Sequence, residues 1–139
     1  MPQYDLYHNT VKNALIKDGW EITDDPFTIE YEDDLRLFAD LAAEKLIAAE
    51  KNTRRIVVEI KSFKSPSLIT ELEKAVGQYG IYRTLLKEDS TEREIYLAIT
   101  RETHENFFQR RGIQRIIADH QIKLLVFEPS LEEIWQWIS

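Results

Sequence analysis

The sequence predicts one α/β domain spanning residues 1–139, with a central mixed sheet flanked by helices. Three observations carry that expectation. Residues 54–63, 94–100 and 122–127 are runs rich in β-branched and apolar side chains, bounded by polar or turn-forming residues, as buried strands are. Residues 4–18, 68–86 and 103–119 repeat apolar residues at helical spacing. The length of 139 residues is that of one domain, and a hydrophobic content of 43% supplies one core. Helices that alternate with strands bury their apolar stripes by lying on the faces of a sheet.

Taken in order, the first helix covers 4–18, with Tyr4, Tyr7, Val11, Ala14 and Leu15 on one side and Gly19 just past its end. Short extended pieces follow at Glu21–Thr23 and Phe27–Tyr31, divided by the turn signal Asp24-Asp25-Pro26. Leu35–Ala43 reads as one strand: Leu35, Leu37, Ala39 and Leu41 face one way, and Arg36, Phe38 and Asp40 the other. Leu46–Ala49 either prolongs that strand or forms a helical turn. Arg54–Phe63 is the clearest strand, and Ser65-Pro66-Ser67 ends it. The helix over Leu68–Leu86 carries the stripe Leu72, Ala75, Val76, Tyr79, Tyr82 and Leu86. A strand at Glu94–Thr100 leads to a helix over 103–119, interrupted near Gly112, and a strand at Ile122–Phe127. Over Leu131–Ile138 the alternation fits helix and strand alike.

Composition removes several classes of function. With no cysteine there is neither a disulfide framework nor a thiolate zinc site. No apolar run approaches the roughly 20 residues of a membrane helix, and Met1–Asp5 lacks the pattern of a signal peptide. A soluble, cytoplasmic protein without a membrane partner is expected. The net charge is −7. It resides in residues 1–53, which hold 12 acids and 5 bases, whereas residues 54–139 hold 13 of each. Such a chain coats nucleic acid poorly, because non-specific binding comes from neutralising phosphates. A metal-dependent nuclease is not excluded, since its site requires carboxylates.

The chemistry centres on Glu59-Ile60-Lys61. Alternation in a strand projects Glu59 and Lys61 from one face. The carboxylate suits a hard divalent cation, and the ammonium suits a water or a phosphate in transfer. An acid-x-Lys triplet is expected about once by chance in a chain of this length. A solvated charge pair is therefore the competing account. Asp40 adds weight: it ends the preceding strand within the apolar setting Phe-Ala-Asp-Leu-Ala, where a lone carboxylate is costly. If the two strands are neighbours, Asp40 and Glu59 converge on one magnesium or manganese ion.

Asp40, then Glu59-Ile60-Lys61 between a leading and a following helix, resembles the PD-(D/E)xK nuclease superfamily, with its restriction-endonuclease-like αβββαβ core. The resemblance covers about the first hundred residues and leaves a C-terminal helix-strand extension. Ala39 stands where that family's leading proline would be. Gln78 and Tyr82 match the Q-x-x-x-Y pattern of RecB-like members, and His8 matches their helix histidine, a metal ligand in some. By its position His8 fits equally a hydrogen-bonded residue at the edge of the core. Gln78 beside an apolar stripe requires a polar partner. Catalytic roles for Asp40, Glu59, Lys61 and Gln78, and metal-ligand roles for Asp40, Glu59 and His8, are what the resemblance implies.

The whole chain is also similar to the XisH family, the fdxN element excision controlling factors. Lys12–Pro26, Ala48–Phe63, Gly77–Tyr82 and Asn106–Arg110 carry that similarity. It implies control of site-specific excision of a DNA element, alongside a recombinase and a companion protein, XisI. Two functions follow as expectations. One is a magnesium-dependent endonuclease-like protein acting on DNA. The other is a catalytically inactive module that binds a recombinase, a XisI-like companion or DNA. A homodimer is compatible with both. Glu44 and Glu50 are weaker acidic candidates. Arg54, Arg55, Arg110, Arg111 and Arg115 are the candidate phosphate contacts. Trp135 and Trp137 read as core or interface anchors.

Overall fold

The computed structural model describes residues 5–88 and 92–139. Helix α1 spans His8–Lys17; residues 5–7, expected within it, form a turn ahead of it, and the expected start at Tyr4 lies outside the described residues. Strands β1 (Glu21–Asp24) and β2 (Phe27–Tyr31) flank a turn closed by a cis Asp25–Pro26 bond. Strand β3 covers Leu35–Ala39 and β4 covers Leu41–Ile47. A 3-10 turn at Ala48–Glu50 leads to β5, Asn52–Ile60. Helix α2 is Leu68–Leu86 and β6 is Glu94–Thr100, both as expected. Short helices α3 (Arg101–Asn106) and α4 (Arg111–Asp119) precede β7 (Leu124–Glu128) and β8 (Glu133–Ile138). The helical interruption falls before Arg111, and Gly112 lies inside α4. The open segment at the C-terminus is strand.

Six strands form one mixed sheet in the order β1-β4-β5-β6-β7-β8, and β2 pairs with β3 as a separate hairpin. The central pairs β5–β6 and β6–β7 are parallel, while β1–β4, β4–β5 and β7–β8 are antiparallel. Parallel strands need crossovers, and α2 and the α3–α4 pair supply them. Both faces of the sheet centre are covered, which explains why β6 is apolar along nearly its whole length. Val11, Leu15 and Trp20 pack against Ile56, Val58 and Phe127 on one face. Leu72, Tyr79 and Tyr82 of α2 pack with Val57, Leu97 and Val126 on the other.

Helix α2 is fixed at both levels. The Ser67 hydroxyl caps it by accepting the Thr70 N–H at 3.3 Å. The Tyr79 hydroxyl donates to Ile95 O at 2.9 Å and accepts the Lys123 N–H at 3.0 Å, tying the helix to the entries of β6 and β7.

The stretch 35–43 departs from its expected form. It is two strands broken at Asp40, not one. Ala39 belongs to the core beneath α2, whereas Leu41 belongs to the core beneath α1. The break hands the chain from the β2–β3 hairpin to the main sheet and reverses which alternate residues face each layer. Leu35, opposite Tyr31 at the far end of the hairpin, is exposed at 42%.

Candidate active site

The site forms where β4 begins and β5 ends. Leu41 stands opposite Val58 in the antiparallel register, so one further residue in each strand brings Asp40 beside Glu59. Two bonds lock that arrangement. The Asp40 Oδ2 accepts the Ile60 N–H at 2.7 Å, and the Asp40 N–H donates to the Glu59 carboxyl group. Glu59 shares the face of Val57, toward α2, as alternation requires. Lys61 follows the last residue of β5, and its N–H donates to Ala98 O at 3.1 Å, so the backbone still runs along β6. Helix α2 contributes Gln78 and Tyr82, four residues apart on one side. The Tyr82 hydroxyl donates to Phe38 O at 3.0 Å and holds the hairpin against the helix.

These residues line an open cleft of about 300 Å³, together with Asp5, Pro26, Phe38, Ala39 and Ile60. Four sequence-predicted residues, Asp40, Glu59, Lys61 and Gln78, therefore meet in one place. His8 does not join them. It is 4% exposed, and its Nε2 lies 2.6 Å from Asp25 Oδ1. Lys12 Nζ approaches the other Asp25 oxygen at 2.7 Å, which makes a small charged cluster below the β1–β2 turn. These two partners hold the Asp25 carboxyl below its usual range, against the opposing effect of burial.

The electrostatics of the cleft follow from crowding acids in a dry place. Glu59 is 6% exposed. Burial first, then the Asp40 charge and a hydrogen bond to its carboxyl group, push the Glu59 pKa up to about 9, although Lys61 opposes the shift. At neutral pH Glu59 holds a proton. Burial first, then Glu59 and Asp40, push Tyr82 up to about 12. The Gln78 Oε1 is buried and accepts no hydrogen bond among the described residues.

Asp5 was not singled out by the sequence. An isolated acid outside any motif carries no catalytic signal, although its place just ahead of a helix is one where acids are favoured. In the structure it lines the cleft and its carboxylate accepts N–H groups from Tyr7, at 2.9 Å, and from Ser62. Burial raises its pKa, and the nearby Asp40 adds to the rise.

Among the described residues no three His, Asp or Glu side chains gather as a ready-made metal cage. The donor set nevertheless fits one kind of ion. Asp40, Glu59 and the unpartnered Gln78 Oε1 are all oxygen donors. Magnesium uses one or two carboxylates and otherwise keeps its waters.

The chain leaves β5 through Phe63, whose φ of 52° is left-handed and rare for a bulky residue. Packing holds it there: its ring meets Phe107 at 5.9 Å and Phe108 at 5.4 Å between centroids. The end of β5 is thereby fastened to the α3–α4 connection.

Comparison with known proteins agrees with this architecture. Residues 1–135 match the family model described as XisH protein. No curated protein matches the chain. The crystal structure of an XisH family protein from Nostoc punctiforme PCC 73102 superposes with a TM-score of 0.86 at 40% identity, over 97% of this chain and 100% of that one. An fdxN element excision controlling factor protein from Anabaena variabilis superposes with a TM-score of 0.87 at 41% identity, over 98% of this chain and all of its own. The chain belongs to the XisH family.

Proposed function

We propose that this protein takes part in controlling the excision of a DNA element, as a magnesium-dependent endonuclease-like protein. One observation carries the reading: Asp40, Glu59, Lys61 and Gln78, drawn from three separate elements, line the same open cleft. The description of the Anabaena variabilis relative as an excision controlling factor supports the DNA context. In this reading Asp40 and Glu59 hold a magnesium or manganese ion, with Gln78 Oε1 as a further oxygen donor. When bound, the ion supplies charge stabilisation at a phosphate and lowers the pKa of a water. Lys61 Nζ orients the attacking water and offsets charge on the phosphate. Tyr82 keeps its proton and braces the hairpin that walls the cleft. A site-specific recombinase and a XisI-like companion are the partners that this role requires.

The test is cleavage of linear and branched DNA in magnesium by the wild type, Glu59→Ala and Lys61→Ala. Loss of cleavage in both variants, with folding intact, is expected. No cleavage by the wild type, together with no magnesium binding by calorimetry, overturns the reading. A second reading, a catalytically inactive module that binds DNA or a partner protein, is favoured by one feature: Glu59 is protonated at neutral pH. Under that reading, excision in cells is unchanged by Lys61→Ala.

A further inference from the structure

The arginines fall into two groups that the fold treats differently. Arg54 and Arg55 enter β5 at the end away from the cleft, roughly 13–17 Å along the strand from Glu59. Both are engaged: Arg54 lies 2.7 Å from Glu94, and Arg55 lies 3.6 Å from Glu44. Arg110, Arg111 and Arg115 are exposed and pair with no carboxylate among the described residues.

Their setting is unusual for this chain. Residues 106–118 carry these three arginines and no acid, and residues 60–70 carry Lys61 and Lys64 and no acid. In a protein of net charge −7, two acid-free cationic segments, far apart in sequence, are packed together. The contact is the Phe63–Phe107–Phe108 cluster, in which every ring is at most 6% exposed. The Arg110 guanidinium lies 5.2 Å from the Phe107 ring centroid. Phe63 is two residues from Lys61, which lines the cleft. The nearest acid of α3, Glu105, is held by Arg101 at 2.9 Å.

We propose that Arg110, Arg111 and Arg115 form a phosphate-contacting ridge that seats duplex DNA beside the cleft. The proposal rests on the reading of this protein as acting on DNA, and it names the surface that takes the substrate. The aromatic cluster sets the distance between ridge and cleft, so that strand backbone held on the ridge runs toward Lys61. Contacts of this kind position the duplex without reading its sequence. Each phosphate neutralised contributes about 0.9 to the slope of log affinity against log salt.

The test uses the full chain and a fluorescein-labelled 30-base-pair duplex, with anisotropy read across sodium chloride concentrations in calcium. In Arg110→Ala/Arg111→Ala/Arg115→Ala the salt slope is expected to fall by about 2–3, with affinity at least ten-fold lower near 0.1 M salt. Arg54→Ala/Arg55→Ala removes cationic charge elsewhere and is expected to leave the slope unchanged. Failure of cleavage with this binding pattern intact sinks the nuclease reading alone. An unchanged slope in the ridge variant, an equal fall in the Arg54/Arg55 variant, or no duplex binding by the wild type overturns the ridge. Circular dichroism melts confirm that each variant is folded before it is compared.

Discussion

Glu59→Gln tests whether the cleft stores the cost of crowding two acids. Glu59 ionises near 4.5 when exposed and near 9 in the fold. A group whose folded pKa is raised stabilises the native state fully below its unfolded value, and that stability is lost as pH rises toward the folded value. At pH 7.5 the native state must take up a proton that free glutamate gives up about 3 pH units lower, at about 1.4 kcal/mol per unit, so about 4 kcal/mol is forfeited. Glutamine has nothing to ionise. The variant is expected to be more stable than the wild type by about 2–4 kcal/mol at pH 7.5, with the difference shrinking toward zero near pH 4.5. Urea unfolding followed by tryptophan fluorescence, without divalent cations and in steps from pH 5 to 8.5, reads this directly. Parallel curves for the two proteins, or a variant less stable at every pH, would refute the reasoning.

If magnesium enters this cleft it displaces the Glu59 proton, so calorimetric enthalpies in phosphate and Tris buffers should differ by roughly the ionisation heat of one proton. Phe63→Ala removes a buried ring from three-way aromatic packing and is expected to cost about 3–5 kcal/mol in thermal or urea unfolding; a loss under about 1 kcal/mol counts against the fastening role. Tyr82→Phe deletes the hydroxyl that holds Phe38 O and should cost about 1 kcal/mol. In a spectrophotometric titration Tyr82 should ionise only near pH 12, above an unperturbed tyrosine. Asp25→Asn weakens two charge-assisted bonds, to His8 and Lys12, and should lower stability by about 1–3 kcal/mol at neutral pH. Because the Asp25 pKa is depressed, that deficit should close as pH falls below 3.8, and a constant deficit would contradict the assignment.

The long periodic elements are legible in the residues themselves. Helix α2 and strand β6 carry their burial pattern in consecutive residues, and both lie where the spacing puts them. The meeting of Asp40 with Glu59 is legible too, since it needs only that two successive strands be neighbours. What escapes the sequence depends on partners far away along the chain. The break at Asp40 arises because its side chain binds a backbone group 20 residues later, and no local pattern announces that. Asp5 enters the cleft by binding Ser62, a contact across the whole first half of the fold. His8 has the right helix position for the cleft, yet Asp25, on a turn 17 residues away, takes its ring nitrogen. Strand β8 is ambiguous in the sequence because Ile-Trp-Gln-Trp-Ile alternates, yet is too short for its period alone to exclude a helix.

Asp40 does two jobs, and this decides which residue is informative across relatives. Its carboxylate closes the backbone ladder at Ile60, where the hairpin meets the sheet. Selection for folding retains such a side chain whether or not any reaction depends on it. Lys61 is placed the other way round. Its backbone N–H does the structural work with Ala98, while its Nζ donates no hydrogen bond to any described residue. Folding alone leaves position 61 free to drift. If the cleft does the proposed chemistry, a lineage that has abandoned it is expected to keep the aspartate and lose the lysine.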